Sequence, residues 1–172
     1  ASTLTITGAI NGATIKADTT NFVNSYLISQ DAGTGTLNSA SNNTGFGDSV
    51  FAALTTGDNN TGIGRESMLV NTTGASNTAL GSTSLDANTT GSFNTAIGQA
   101  SLTANTTAEE NTAVGYSAAG ATTTGAVNTA VGSQALADNT TGSSNVAIGR
   151  EALHANTTAS NNTAIGKHSL RL

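Results

Sequence analysis

From Asn43 onward the chain repeats a 17-residue phrase without insertion or deletion. Copies begin at Asn43, Asn60, Asn77, Asn94, Asn111, Asn128, Asn145 and Asn162. The phrase reads N-T-A-[IVL]-G-x-x-[AS]-L-x-x-N-T-T-[GA]-x-x, and its residues are referred to below as positions one to seventeen. A period this strict means that each copy stacks on the one before it, so the architecture is a solenoid. Seventeen residues are too few for a helix pair, whose repeats run to roughly 30–45 residues. They suit one coil of a parallel β-helix or β-roll, and the expected class is all-β.

Stacked coils turn sequence positions into columns of like residues about 4.8 Å apart. Two columns are expected to form the core. Position four supplies Phe46, Ile63, Leu80, Ile97, Val114, Val131, Ile148 and Ile165. Position nine supplies Phe51, Met68, Leu85, Leu102, Ala119, Leu136, Leu153 and Leu170. Small residues at positions three and eight (Ala79, Ala96, Ala113; Ser84, Ser101, Ala118) are expected to fill beside them. Glycine occupies position five in every copy: Gly47, Gly64, Gly81, Gly98, Gly115, Gly132, Gly149 and Gly166. A corner with positive φ or a close backbone approach accounts for such a column. Position fifteen is Gly or Ala (Gly74, Gly91, Ala108, Gly125, Gly142, Ala159), a second and less strict corner.

Each coil is thus expected to hold two short strands, one around T-A-I and one around A-L or N-T-T. Asparagines at position one (Asn60, Asn77, Asn94) and position twelve (Asn71, Asn88, Asn105, Asn139, Asn156) can ladder amide to amide between neighbours. Only about two large apolar side chains per coil point inward, few against the entropy of ordering the coil. Association of several copies around a shared axis, three in a fibre, would bury more. Residues 1–42 do not repeat and are expected to cap the solenoid or connect it to another part. There Leu4-Thr-Ile-Thr alternates like a strand, Gly8 to Gly12 supplies turn residues, and Phe22 to Ile28 forms a second apolar patch. Residues 43–172 are the solenoid. The fifth repeat departs from the phrase at Ala119, Gly120 and Thr122, where a local thinning is expected.

Phrases such as N77-T-A-L-G-S-T-S-L-D-A-N-T-T-G91 and N128-T-A-V-G-S-Q-A-L-A-D-N-T-T-G142 resemble the repeats of phage tail-fibre proteins and related bacterial tail-fibre-domain proteins. Proteins of that kind often end in an intramolecular chaperone domain cleaved after trimer assembly; no such domain follows Leu172 in this sequence. The A-[IVL]-G element, as at Ala96–Gly98 and Ala147–Gly149, is similar to the head repeats of trimeric autotransporter adhesins, which are shorter. Those form a left-handed parallel β-roll in a trimer. The resemblance covers Asn43 to Leu172. It implies a homotrimeric shaft or adhesive fibre, in a virion tail or at the cell surface, with a cell-surface receptor or glycan as partner.

Composition narrows the alternatives. Charged residues make up 9% of the chain and the net charge is −5, with five Lys or Arg. A nucleic-acid groove needs a basic surface, so that class is set aside. No stretch approaches the roughly 18 apolar residues of a membrane-spanning helix, and membrane insertion is not expected. The segment ASTLTITGAI lacks the basic start and apolar core of a secretion signal. That leaves a removed signal, an excerpt from a longer chain, or another export route. The chain also stops in mid-repeat, which suggests an excerpt or a proteolytic product.

No catalytic, cofactor-binding or metal-binding residue is expected. Cysteine is absent, which removes thiolate chemistry. His154 and His168 occupy non-equivalent positions, so they could pair on a metal only across chains. Glu66 and Glu151 share position seven but lie five coils apart, and Glu109 and Glu110 fit a solvated turn. The calcium phrase of some β-rolls is missing, as are a phosphate loop and a nucleophile elbow. Eight N-x-[ST] sequons come with the repeat, and glycans on every coil would be crowded. Two alternatives to a fibre segment remain. One is a self-assembling extracellular filament. The other is an ice-binding solenoid presenting Thr73, Thr90, Thr107, Thr124, Thr141 and Thr158 at one-coil spacing.

Overall fold

The Thr-Ala-Ile triplet points its first and third side chains one way and its middle one the other. In the computed structural model, which describes residues 9–10, 13–19, 22–29 and 38–171, this triplet is the one strand of each coil. The fold is all-β, a parallel β-solenoid of about eight coils, with no helix among the described residues. Three strands come first: β1 (Ala9–Ile10), β2 (Ala13–Thr19) and β3 (Phe22–Ser29). After β4 (Ala40–Ser41) follow the coil strands β5 (Thr44–Phe46), β6 (Thr61–Ile63), β7 (Thr78–Leu80) and β8 (Thr95–Ile97). The ladder continues through β9 (Thr112–Val114), β10 (Thr129–Val131), β11 (Val146–Ile148) and β12 (Thr163–Ile165).

Strands β5 to β12 pair in parallel without a slip, so Ala96 lies beside Ala113 and Ile97 beside Val114. The stacking begins earlier than the repeat. Strand β3 pairs in parallel with β5, aligning Tyr26 with Thr44, Leu27 with Gly45 and Ile28 with Phe46. Ser25 stands in for the position-one asparagine: its Oγ accepts the Asn43 N–H at 2.8 Å. On its other side β3 pairs antiparallel with β2, and β2 with β1. The non-repeating segment therefore contributes a rung and an antiparallel hairpin. The expected strand at Leu4 to Thr7 lies outside the described residues.

Half of the expected core is correct and half is inverted. Position nine is interior: Phe51, Met68, Leu85, Leu102, Ala119, Leu136 and Leu153 are buried. Leu170, in the last coil described, is 53% exposed. Position four is not interior. Phe46, Ile63, Leu80, Ile148 and Ile165 are exposed, and Ile97, Val114 and Val131 are only partly covered. The alanines of position three take their place, with Ala79, Ala96, Ala113, Ala130 and Ala147 fully buried.

The asparagines give a physical reason for this inversion. Period-two alternation forces a choice between positions one and three inside or two and four inside. With one and three inside, each position-one amide is satisfied. Asn77 Nδ2 donates to Gly91 O at 2.9 Å, and Asn77 Oδ1 accepts the Asn94 N–H at 2.9 Å. The interior is also narrow. Where bulky Phe51 enters, position three shrinks to Gly45 and Gly62, whose added Cβ atoms would meet Leu27 or Val50 at 2.7 and 2.8 Å. A large aliphatic residue opposite Leu at position nine would overfill such a coil.

The second expected strand is also absent. Around A-L the backbone turns through the left-handed region at positions seven and nine, as at Glu66 (φ 57) and Met68 (φ 50). Coil-to-coil hydrogen bonds persist there, but no extended strand forms. Every position-five glycine has positive φ, from 120 to 143°. A Cβ on Gly98 would also lie 2.5 Å from Gly115 O, so positive φ and close approach coincide. Position fifteen has no positive φ, in keeping with the alanines found there.

Candidate interaction surface

Turning the alanines inward turns everything else on the strand outward. Ile28, Phe46, Ile63, Leu80, Ile97, Val114, Val131, Ile148 and Ile165 stack in register along one side of the rod. At about 4.8 Å per rung the stripe is roughly 40 Å long. Beside it runs the position-two column, from Tyr26, which is 64% exposed, through Thr44, Thr61, Thr78, Thr95, Thr112, Thr129, Val146 and Thr163. The threonine hydroxyls of this column make no hydrogen bond within the described residues, and the apolar side chains have no internal partner layer. Contiguous exposed apolar surface on this scale marks an interaction site. Phe93, Tyr116 and Val127 are also exposed, at positions where other coils carry mostly small or polar residues.

The two threonine columns on the Asn-Thr-Thr arm behave differently from each other. At position thirteen the hydroxyls are used: Thr72 Oγ1 donates to Thr89 O at 2.9 Å and Thr140 Oγ1 to Thr157 O at 3.0 Å. At position fourteen Thr73, Thr90, Thr107, Thr124, Thr141 and Thr158 are exposed, and their hydroxyls are free among the described residues. Beneath them the position-twelve asparagines form the expected ladder. Asn88 Nδ2 donates to Asn71 Oδ1 at 2.8 Å and Asn105 Nδ2 to Asn88 Oδ1 at 2.9 Å. These amides are buried, so the sequon asparagines Asn71, Asn88, Asn105 and Asn139 face the interior.

Several ionisable groups form local pairs. Glu151 is 5% exposed and is held by Arg150 Nη2 at 2.9 Å and Arg171 Nε at 2.8 Å, with His168 Nε2 at 3.5 Å. Burial works against its charge, but Arg171, Arg150 and His168 together outweigh it and hold the carboxyl below its ordinary range. His154 Nδ1 lies 3.4 Å from Asp138. The two histidines thus serve different acidic partners. Glu109 and Glu110 are exposed and make no ion pair among the described residues. Among those residues no three His, Asp or Glu side chains gather as a metal site would require. A recess of about 310 Å³ beside Leu153, Asn156, Thr158, Asn162 and Leu170 has no ionisable group in its lining.

The outward stripe was missed by a rule that places the largest aliphatic side chains inside. A signal for it was present. Position three is Ala or Gly throughout, whereas position four ranges over Phe, Ile, Leu and Val. A close-packed wall tolerates less change of volume than an exterior one. Comparison of the chain with family models, curated proteins and solved structures finds no match. The fold and the stripe therefore define the class: a parallel β-solenoid rod with one apolar side.

Proposed function

We propose that this chain is a structural segment of a fibre, a phage tail fibre or a surface adhesin, in which three copies lie side by side through the position-four stripe. The observation that carries this reading is the nine-rung apolar ladder stacked in register along one side of the rod. A second copy is the occupant that fits it, because only a surface with the same rung spacing meets such a ladder along its whole length. Three copies around one axis cover all three stripes at once, a closed arrangement that leaves none free for further growth. The buried stripes supply the apolar area that a coil with one interior leucine lacks. The result is a stiff shaft, and attachment to a cell-surface receptor or glycan is the role such a shaft serves.

Sedimentation velocity tests the proposal. The intact chain is expected to sediment as a trimer, and the double variant Ile97→Lys, Val131→Lys as a monomer that keeps the β-rich circular dichroism of the parent. A stable monomer for the intact chain overturns the reading.

A second reading, ice binding, is favoured by the exposed, unbonded hydroxyls of the position-fourteen column. Thermal hysteresis separates the two. A fibre segment shows none, and a clear freezing-point depression would move the function to the threonine face.

A further inference from the structure

We propose that the seam between the fourth and fifth coils is a one-sided hinge built into the rod. The sheet side of this seam is like every other. Strands β8 and β9 pair in full register, Thr95 N–H donates to Asn111 O at 2.8 Å, and Gly115 N–H donates to Ile97 O at 2.7 Å. The Asn-Thr-Thr side is not.

Thr122 stands there in place of the position-twelve asparagine. The Asn105 Oδ1 below it has no donor, and it is the one buried side-chain N or O atom without a partner among the described residues. Equivalent oxygens on Asn71 and Asn88 accept at 2.8 and 2.9 Å. The backbone follows the side chain. Thr106 N–H reaches Thr123 O at 3.2 Å, whereas the same bond is 2.9 Å at Thr72, 2.8 Å at Thr89 and 2.7 Å at Thr140. The Thr106 hydroxyl bond is stretched to 3.3 Å, against 2.9 Å at Thr72 and 3.0 Å at Thr89. The next amide, Thr107 N–H, makes no bond to the fifth coil, although Thr73, Thr90, Thr124 and Thr141 all bond theirs. Ala119 meanwhile removes the leucine that would fill between Leu102 and Leu136.

Four deficits thus meet on one side of this seam: a missing amide donor, the lengthened bonds and lost backbone bond that accompany it, and a leucine lost from the fifth coil. Each lowers the free energy of local opening. Because the sheet side keeps all its bonds, opening there is a rotation about the sheet and not a break. Water admitted to the gap reaches Asn105 Oδ1, which favours the open state further. The coils on either side tilt as rigid halves, and the rod bends in one plane.

Residue-resolved amide hydrogen exchange on the intact chain tests this. Thr106 N–H is expected to exchange about tenfold faster than Thr89 and Thr140 N–H, as the loss of roughly one hydrogen bond's worth of protection implies. Thr95 and Gly115 N–H should stay as protected as Thr78 and Gly132. Thr122→Asn, which returns the missing donor, should bring Thr106 down to the rate of Thr89. Equal rates for Thr106, Thr89 and Thr140 in the intact chain overturn the hinge. So does equal loss of protection at Thr95 and Gly115, which would mean a two-sided break. If Thr122→Asn does not fold, Ala119→Leu provides the second variant, and the comparison within the intact chain still decides.

Discussion

Glu151 shows how a single buried charge in this rod depends on its neighbours. Its folded-state pKa is lowered, so the carboxylate stabilises the fold wherever the unfolded chain would also be ionised. That contribution is lost as the pH falls through the depressed folded value. Melting temperature against pH should therefore differ between the parent and Glu151→Gln at neutral pH. The two curves should begin to converge as the pH enters the ordinary glutamate range and meet only below the depressed folded value. Curves that stay parallel into acid would show that Arg150, Arg171 and His168 do not act through the charge. At this scale the sequence was legible where chemistry leaves one option. Invariant glycine at position five meant positive φ or a close backbone approach, and Asn over Asn meant an amide ladder. It was silent at positions seven, nine and seventeen, where Glu66, Leu102 and Val127 adopt left-handed backbone (φ 57, 49 and 60) that their side chains do not favour. Stacking on the neighbouring coils, a tertiary effect, holds them there.

The element that decides the architecture is a three-residue strand, and its two faces should respond oppositely to truncation. Leu102, fully buried, faces the interior; Leu102→Ala should cost about 2–5 kcal/mol of stability in chemical denaturation. Leu80, 43% exposed on the outside, should lose under about 1 kcal/mol in the isolated monomer when changed to Ala. Similar losses at both positions would contradict the inward alanine. This is also where the sequence was most misleading. Period-two alternation was plain in Thr-Ala-Ile, but its phase was not, because hydrophobicity alone favours isoleucine inside. The phase is fixed by the hydrogen-bond needs of Asn77 and Asn94 and by the small volume left opposite Leu85 and Leu102. Both depend on distances between coils that no single repeat reveals.

For the whole molecule, repetition makes stability close to a sum over coils and their contacts with the next. Excising residues 128–144, one full turn of the phrase, should leave a folded rod, since Val127 then leads directly into Asn145 with every column intact. Excising 128–136 should abolish cooperative melting, because position ten then follows position seventeen and the columns lose alignment. Thermal unfolding followed by circular dichroism separates the outcomes; cooperative melting of both variants would mean that register is not what holds the rod. The period and the parallel stacking were legible from the first repeats. The extra rung was not, because β3 pairs with β5 at a spacing of eighteen residues and matches only Ser25 to the asparagine column.

The inward-facing amides of Asn71, Asn88, Asn105 and Asn139 also bear on how the protein can be made. Each lies in a consensus for N-linked sugar, and each is sealed between neighbouring turns once the chain has folded. A eukaryotic secretory host modifies such sites while the polypeptide is still emerging. A carbohydrate attached there would have to be swallowed by the interior, and the turn could not close over it. Expression in a host without that pathway avoids the conflict.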